Sequence, residues 1–326
     1  MDVEPLLAPE EKRYHILPIR YPRTWDLYKK AFAAFWTVGE VDLSKDVADW
    51  NERLTESERH FVSMVLAFFA NSDGIVNDNL AERFGREVCL REAKCFYDFQ
   101  KTMENVHNEM YSQLIATYIA DDTARDRLFH ALEHFPCVQK KAQWALRWIE
   151  DAEASFAERL VAFAVVEGIF FSGSFCAIFW LRERRLMPGL CASNTLIARD
   201  EGMHQEFAAH LYRDLLVRKL SDATVHEIVR DAVAHETEFV CEALPVSLVG
   251  MNADDMSTYI RFVADRLLVQ LGHPKLFHAP CPFEFMLTQG LETKANFFEN
   301  RETSYRKAGA RARPGEDHTF GLDAAF

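Results

Sequence analysis

Two short motifs combine a carboxylate with an imidazole at a spacing that suits metal binding. They are Glu104-Asn-Val-His107 and Glu201-Gly-Met-His204, the two places where histidine follows glutamate by three residues. Residues three apart lie on one face of a helix, so each pair can reach a common ion. Alone, each histidine is better explained as a hydrogen-bonded core residue, and chance supplies about one such match in a chain of this composition. The two motifs therefore need further ligands before they predict a metal site.

Glu167 supplies a further carboxylate, because it lies inside the apolar stretch from Leu160 to Leu181. A buried carboxylate needs a positive partner, and a metal cation provides one. Two Glu-x-x-His motifs with one carboxylate from each of two other helices form the ligand pattern of dimetal helical bundles. Asp73 is the candidate for the fourth helix, although Asn71-Ser72-Asp73-Gly74 is typical of a turn or cap. Such a ligand set favours iron or manganese over zinc.

The same apolar stretch is long enough to cross a bilayer and has Arg159 and Arg182 at its ends. Glu167 would then lie at a depth where a carboxylate costs about 2.5–3.5 kcal/mol. The rest of the chain offers no second span of this kind. We therefore expect a buried central helix and no membrane association.

Tyr111 follows His107 by four residues, which places both on the same helix face. Beside an oxygen-activating metal pair, this phenol would be a redox-active side chain. A plain core tyrosine is the alternative. Three phenylalanines could either seal the site from water or belong to the ordinary core: Phe163, Phe170 and Phe171.

The elements that must position these residues are helices. Glycine (13) and proline (11) are scarce, and 49% of the 326 residues are hydrophobic. The proline-free intervals contain apolar residues at helical spacing. We predict one all-α bundle that includes the helices Glu56–Phe69, with a cap at Thr55 or Ser57, Glu92–Ile119, Ser193–Leu216, Asp222–Leu244 and Asp254–Leu271.

Charge and cysteine content limit the partners and the compartment. The formal net charge is −13, which argues against nucleic acid as a partner. The seven cysteines include no C-x-x-C pair, as expected for reduced thiols. The acidic N-terminus has no apolar signal segment. We therefore expect a cytoplasmic protein.

Longer stretches of the sequence carry a family resemblance over nearly the whole chain. They are residues 35–46 (FWTVGEVDLSKD), 66–84, 95–119 (CFYDFQKTMENVHNEMYSQLIATYI), 135–149, 161–181, 184–204, 243–252 and 293–301. In these stretches the chain resembles the small, radical-generating subunit of class I ribonucleotide reductase in its eukaryotic and viral form. The short N-terminus is compatible with a viral member, which would work in the host cytoplasm.

The resemblance implies a ferritin-like helical domain over residues 1–305, with extra helices, and a homodimer. It implies two iron ions per chain, with manganese possible, held by Asp73, Glu104, His107, Glu167, Glu201 and His204. Tyr111 would carry a stable radical. An electron-transfer chain would run from His107 through Asp200, Trp36 and Tyr305 to the large subunit. Residue types alone would make Trp36 a buried anchor and Asp200 a solvated neighbour of Glu201.

In the related proteins a flexible C-terminal tail docks on the large subunit, and residues 306–326 match it. Its apolar anchors here are Phe320, Leu322 and Phe326, while Gly321 and Ala325 depart from the usual residues. Gly39 likewise replaces an acidic residue of the family pattern. The alternative function is iron storage or ferroxidase activity, as in ferritins, which share the bundle. Trp36 and the tail discriminate, since a storage cage needs neither.

Overall fold

The computed structural model describes residues 4–9, 13–243 and 251–287, and its regular structure there is helical, with no β-strand. The helices are α1 (Pro22–Ala33), α2 (Asp46–Ala48), α3 (Glu56–Asn79), α4 (Gly85–Glu87), α5 (Arg91–Tyr118), α6 (Asp122–Phe129), α7 (Ala131–His134), α8 (Pro136–Glu150), α9 (Phe156–Val165), α10 (Ser172–Glu183), α11 (Pro188–His210), α12 (Asp222–Ala243) and α13 (Ala253–Leu271). Shorter segments are a 3₁₀ turn at Val38–Glu40 and π-helical segments at Asp49–Arg53, Leu80–Phe84, Val166–Phe170 and Leu211–Leu215. The predicted all-α class is confirmed.

Four of the described helices pack together at the centre of the bundle: α3, α5, α9 and α11. Helix α3 packs along α5, and α11 contacts both α5 and α9. Helices α12 and α13 cover the π-helical segment 166–170 that joins α9 to α10. The predicted helices at 92–119 and 254–271 are found with shifts of about one residue at their ends, and the predicted helix at 222–244 is found from Asp222 to Ala243, while its predicted end at Leu244 lies outside the described residues.

Side-chain caps fix where two of the central helices begin. Thr55 precedes α3, and its Oγ1 accepts the Glu58 N–H at 3.2 Å, while the Glu58 carboxylate accepts the Thr55 N–H at 2.8 Å. Ser155 and Glu158 form the same reciprocal box before α9. Each box satisfies N–H groups that a helix start leaves without partners. The predicted cap at Thr55 is confirmed.

Helix α3 continues past Phe69 to Asn79, so the turn that the sequence favours around Asp73 is wrong. Asn71 and Ser72 bond back to carbonyls of their own helix, at 2.8 and 3.1 Å, instead of ending it. The long contact with α5 stabilises the extended helix against these weak local breakers. Asp73 thereby lies inside the bundle.

Helix α11 begins at Pro188, earlier than the predicted start at Ser193. The carboxylate of Asp46 caps this start, because its two oxygens accept the N–H groups of Gly189 at 2.8 Å and Leu190 at 2.7 Å. The cap comes from a residue far away in sequence, so local patterns do not reveal it.

The apolar stretch 160–181 is buried along its whole length, as expected of a central helix. It is not one regular helix, because the π-helical segment Val166–Phe170 interrupts it at Glu167. By length and composition the helical run Phe156–Glu183 could cross a membrane, but its most apolar window is entirely buried inside the protein.

Candidate metal centre

The structure brings the six predicted ligand side chains together in one buried cluster. Ligand atoms of Glu104, Glu167, Glu201 and His204 lie within 4.8 Å of one another, and so do those of Asp73, Glu104 and His107. None of the six residues is more than 3% exposed. They come from α3, α5, the π-helical segment and α11. Glu104 belongs to both groups, so the two groups share one carboxylate.

Both imidazoles point a ring nitrogen into the carboxylates. His107 Nδ1 lies 3.2 Å from Glu104 Oε2 and 3.1 Å from Glu201 Oε1. His204 Nδ1 lies 3.0 Å from Glu104 Oε1 and 3.2 Å from Glu201 Oε2. Each histidine therefore offers its Nδ1 atom to the space between the two central carboxylates.

Two carboxylate oxygens in the cluster are buried without a hydrogen-bond partner among the described residues, Asp73 Oδ2 and Glu167 Oε2. An unpaired buried carboxylate oxygen is costly unless a cation is bound to it. Four carboxylates and two imidazoles form a hard, oxygen-rich donor set with borderline nitrogen ligands, which suits iron or manganese. The residues present therefore fit a pair of divalent metal ions.

Burial and mutual repulsion shift the protonation of the cluster. Burial raises the pKa of Asp73 well above its usual value, and the nearby Glu104 charge adds to the shift. Burial and the Glu201 charge do the same to the pKa of Glu167. Burial alone would lower the pKa of His107, but the surrounding carboxylates, Asp200 first among them, raise it well above its usual value. The metal-free cluster thus retains protons that bound cations would displace.

Asp200 is buried, at 1% exposure, so the interpretation of this residue as solvated is wrong. Its Oδ2 accepts the Trp36 indole N–H at 2.7 Å and lies 3.2 Å from His107 Nε2. The Arg199 guanidinium bonds its other oxygen at 2.9 Å. Although burial opposes ionisation, Arg199 and His107 lower the pKa of Asp200 and keep it charged. This pairing makes the buried charge tolerable, and Trp36 itself is fully buried.

The ring of Tyr111 stacks on Phe69, with centroids 4.6 Å apart and planes at 17°. Phe69 in turn packs against Phe171 and Phe175. Burial raises the pKa of Tyr111 well above its usual value, and the Asp73 carboxylate contributes further. The phenol is therefore protonated at neutral pH and lies in a buried aromatic cluster.

The other two candidate wall residues pack elsewhere. Phe163 contacts Phe84 with ring centroids 4.9 Å apart, and Phe170 contacts Trp144 at the same distance. Both contacts belong to the general core. Of the three phenylalanines, Phe171 is the one that joins the aromatic cluster of Tyr111.

Gln100 was missed by sequence reasoning, although it lies one helical turn before Glu104 on the same face of α5. Its Nε2 donates to Glu167 Oε1 at 3.0 Å, which fixes one oxygen of that carboxylate. The sequence signal that could have identified Gln100 is its spacing of four residues from Glu104, which places both on one helix face. A cavity of about 200 Å³ borders Glu167 and Glu201 and extends to Arg266 on α13.

The remaining predicted functional residues lie outside the described part of the chain. They are Tyr305, Phe320, Leu322 and Phe326.

Comparison with known proteins identifies the family. The family model "Ribonucleotide reductase, small chain" matches residues 13–282. The small subunit of ribonucleoside-diphosphate reductase from Dictyostelium discoideum is 56% identical over 99% of this chain and 97% of its own length. The chain belongs to the ribonucleotide reductase small-chain family. The small chain of the vaccinia virus (strain Ankara) enzyme is 55% identical over 99% of this chain and 100% of its own length.

A solved structure supports the same assignment. The Rnr4 homodimer of Saccharomyces cerevisiae ribonucleotide reductase aligns with a TM-score of 0.80 and 37% identity, covering 89% of this chain and 90% of that one. The predicted family, enzyme class and ferritin-like helical fold are therefore confirmed. Iron storage, the alternative function, is not favoured.

Proposed function

We propose that this chain generates and stores the radical of a ribonucleoside-diphosphate reductase, with the six clustered side chains as ligands of two iron ions. The observation that carries the proposal is the convergence of four carboxylates and two imidazoles, with Asp73 Oδ2 and Glu167 Oε2 lacking a hydrogen bond among the described residues. The charges of four ionised carboxylates equal those of two divalent cations, so a bound pair would neutralise the cluster. Manganese would satisfy the same ligands.

Iron bound there would supply electrons to dioxygen and thereby the oxidising equivalent that Tyr111 needs. The chain's own residues then determine how long the radical lasts. Tyr111 lies on the same face of α5 as two of the ligands, and its ring is stacked on Phe69. This aromatic cluster excludes water and reductants from the phenol. Glu104, shared by both ligand groups, would be a ligand of the metal pair.

The hydrogen-bonded series from His107 through Asp200 to Trp36 would connect the metal cluster to the large subunit. Asp200 fixes the Trp36 and His107 rings relative to each other, since its Oδ2 atom contacts both. Tyr305, by its match to the family, would receive the oxidising equivalent beyond Trp36. The large subunit would then use it to reduce ribonucleotides to deoxyribonucleotides.

Assembly follows from the same family membership. We propose a homodimer, the state named for the yeast Rnr4 structure, with residues 1–305 as the helical domain. Residues 306–326 would form the tail that docks on the large subunit through Phe320, Leu322 and Phe326. The seven cysteines are free, which supports a reducing compartment such as the cytoplasm.

Reconstitution tests this proposal directly. Metal-free protein is loaded with ferrous iron, exposed to dioxygen, and examined by metal analysis and electron paramagnetic resonance. We expect two irons per chain and a tyrosyl radical signal that disappears in Tyr111→Phe. Addition of a large subunit should then give deoxyribonucleotide product. Protein that binds no iron at the cluster would overturn the proposal.

A further inference from the structure

A buried ion pair outside the metal cluster joins α8 to α12. Lys141 Nζ is 2.6 Å from Glu236 Oε2, and both side chains are fully buried. The ammonium group also lies 3.5 Å from the ring centroid of Phe68 and 4.1 Å from that of Phe239. Burial lowers the pKa of Lys141 to about 8, so the pair is held at a cost in solvation free energy.

This pair also bonds to the backbone where the central helix is irregular. Lys141 Nζ donates to the carbonyl oxygen of Phe170 at 2.6 Å, and Glu236 Oε1 accepts the N–H of Gly173 at 3.2 Å. Phe170 is the last residue of the π-helical segment, and Gly173 lies in the first turn of α10. The two charged side chains thus form hydrogen bonds with the backbone on both sides of the junction between the π-helical segment and α10.

In a regular α-helix the Gly173 N–H would donate to the Ile169 carbonyl. Here the Gly173 N–H donates to Glu236, and the Ile169 carbonyl accepts the Ser172 hydroxyl at 2.7 Å. Buried backbone polar groups need hydrogen-bond partners. At this junction Lys141 supplies a donor to the Phe170 carbonyl and Glu236 supplies an acceptor to the Gly173 N–H, and both bonds stabilise the junction.

Gly173 shows how close the contact is. A Cβ atom at this position would lie 2.7 Å from Glu236 Oε1 and 2.7 Å from Val240 Cγ2. Both distances are too short for real contacts, so glycine is what lets the carboxylate reach the backbone N–H. The close contact between the Glu236 carboxylate and the backbone therefore depends on the residue types at both Glu236 and Gly173.

The junction matters because Phe170 follows Glu167 by three residues, about one helical turn. Gln100 donates to Oε1 of Glu167. The other oxygen, Glu167 Oε2, has no hydrogen bond among the described residues and lies 3.8 Å from Nδ1 of His204, another proposed ligand. Its direction therefore depends on the backbone that Lys141 and Glu236 hold. We propose that Lys141 and Glu236 are positioning residues that fix the π-helical segment and so aim Glu167 at its metal ion.

This inference rests on the dimetal site proposed above, and binding of Mn(II) to the metal-free protein tests it. The test variant is K141M/E236L, which replaces both charged groups with apolar ones so that neither is left unpaired. The control is K140M/E238L, which removes the exposed Lys140–Glu238 pair between the same two helices. Free Mn(II) is measured by electron paramagnetic resonance during titration.

We expect wild type and control to bind two Mn(II) ions with the same isotherm. In K141M/E236L one of the two ions should bind more weakly by about tenfold or more, the usual effect of losing a group that orients a ligand. A general loss of stability would weaken both ions alike. Binding by K141M/E236L that matches the control, or equal weakening of both ions, would overturn the inference.

A milder variant covers the case in which K141M/E236L does not fold, as judged by circular dichroism. K141M/E236Q keeps an oxygen for the Gly173 N–H and loses the donor to the Phe170 carbonyl, and its control is K140M/E238Q. We again expect weaker binding of only one of the two Mn(II) ions. If this variant does not fold either, the pair is purely structural and the inference is wrong. Wild type that binds no Mn(II) would instead contradict the proposed dimetal site.

Discussion

Trp36 donates its indole N–H to Asp200 Oδ2 at 2.7 Å, and this same oxygen lies 3.2 Å from His107 Nε2. The rings of Trp36 and His107 are also stacked, with centroids 6.1 Å apart. One carboxylate oxygen therefore fixes an indole against an imidazole of the proposed metal site. The contact joins the loop after α1 to the centre of the bundle.

Trp36→Phe removes this N–H donor while keeping an aromatic ring. We expect iron binding and the Tyr111 radical to remain, whereas turnover with the large subunit should be lost because the connection through the indole is broken. Loss of one hydrogen bond to a buried charge should lower the free energy of unfolding by about 1.5–3 kcal/mol. Radical content by electron paramagnetic resonance and product formation are measured on the same sample.

Trp50→Phe is the matched control for this experiment. Trp50 is also buried, but it stacks on Tyr118, away from the cluster. This variant should retain turnover with the large subunit. Full turnover by Trp36→Phe would exclude Trp36 from radical transfer.

Tyr111→Phe removes the phenol oxygen from the aromatic cluster. We expect metal binding to be unchanged and the tyrosyl radical to be absent, because the ring that remains cannot lose a hydroxyl proton. Tyr97→Phe is the control, since Tyr97 is buried on the same helix and its hydroxyl has no hydrogen-bond partner among the described residues. A radical of normal yield in Tyr111→Phe, or its loss in Tyr97→Phe, would assign the radical to a different residue.

Metal binding should become tighter as pH rises. The carboxylates raise the pKa of His107 and His204 above their usual value of 6.5, so both imidazoles are protonated near neutral pH in the metal-free protein. Their interaction with the carboxylates stabilises the fold below pH 6.5 and is lost as pH rises through the raised pKa values. Metal ions require neutral imidazoles, so binding releases protons.

The unfolding temperature with and without Mn(II) measures this linkage. The increase caused by Mn(II) should be larger at pH 8 than at pH 6, because fewer protons must be displaced at the higher pH. Calorimetry in buffers of different ionisation enthalpy should detect the released protons directly. An equal increase at both pH values would mean that the imidazoles do not bind the metal.

Sequence periodicity predicted the helices at 92–119, 222–244 and 254–271 nearly correctly, because apolar residues at helical spacing report directly on burial. It could not place Asp73, since Asn71, Ser72 and Gly74 resemble a turn and only packing against α5 keeps this part of α3 helical. The early start of α11 was missed for a related reason, as its cap is the distant carboxylate of Asp46. Local patterns carry no information about such long-range partners.

Part of the candidate site could be predicted from the sequence for the same physical reasons. Glu167 stood out as a carboxylate inside an apolar stretch, and the two Glu-x-x-His motifs share one face of each helix. The burial of Asp200 could not be predicted from the sequence, because it depends on a hydrogen bond from Trp36, which is distant in sequence. The π-helical segment at Glu167 was also missed, since it depends on contacts from α8 and α12.

Removal of Leu322–Phe326 should separate radical formation from catalysis. These residues are distant in sequence from all six proposed ligands, so the truncated protein should bind iron and form the Tyr111 radical as wild type does. Turnover with the large subunit should be abolished, because Leu322 and Phe326 are the proposed apolar anchors of the docking tail. A synthetic peptide of residues 319–326 should inhibit the wild-type complex by occupying the same surface. If the truncated chain turns over normally and the peptide has no effect, the docking surface must lie in another part of the molecule.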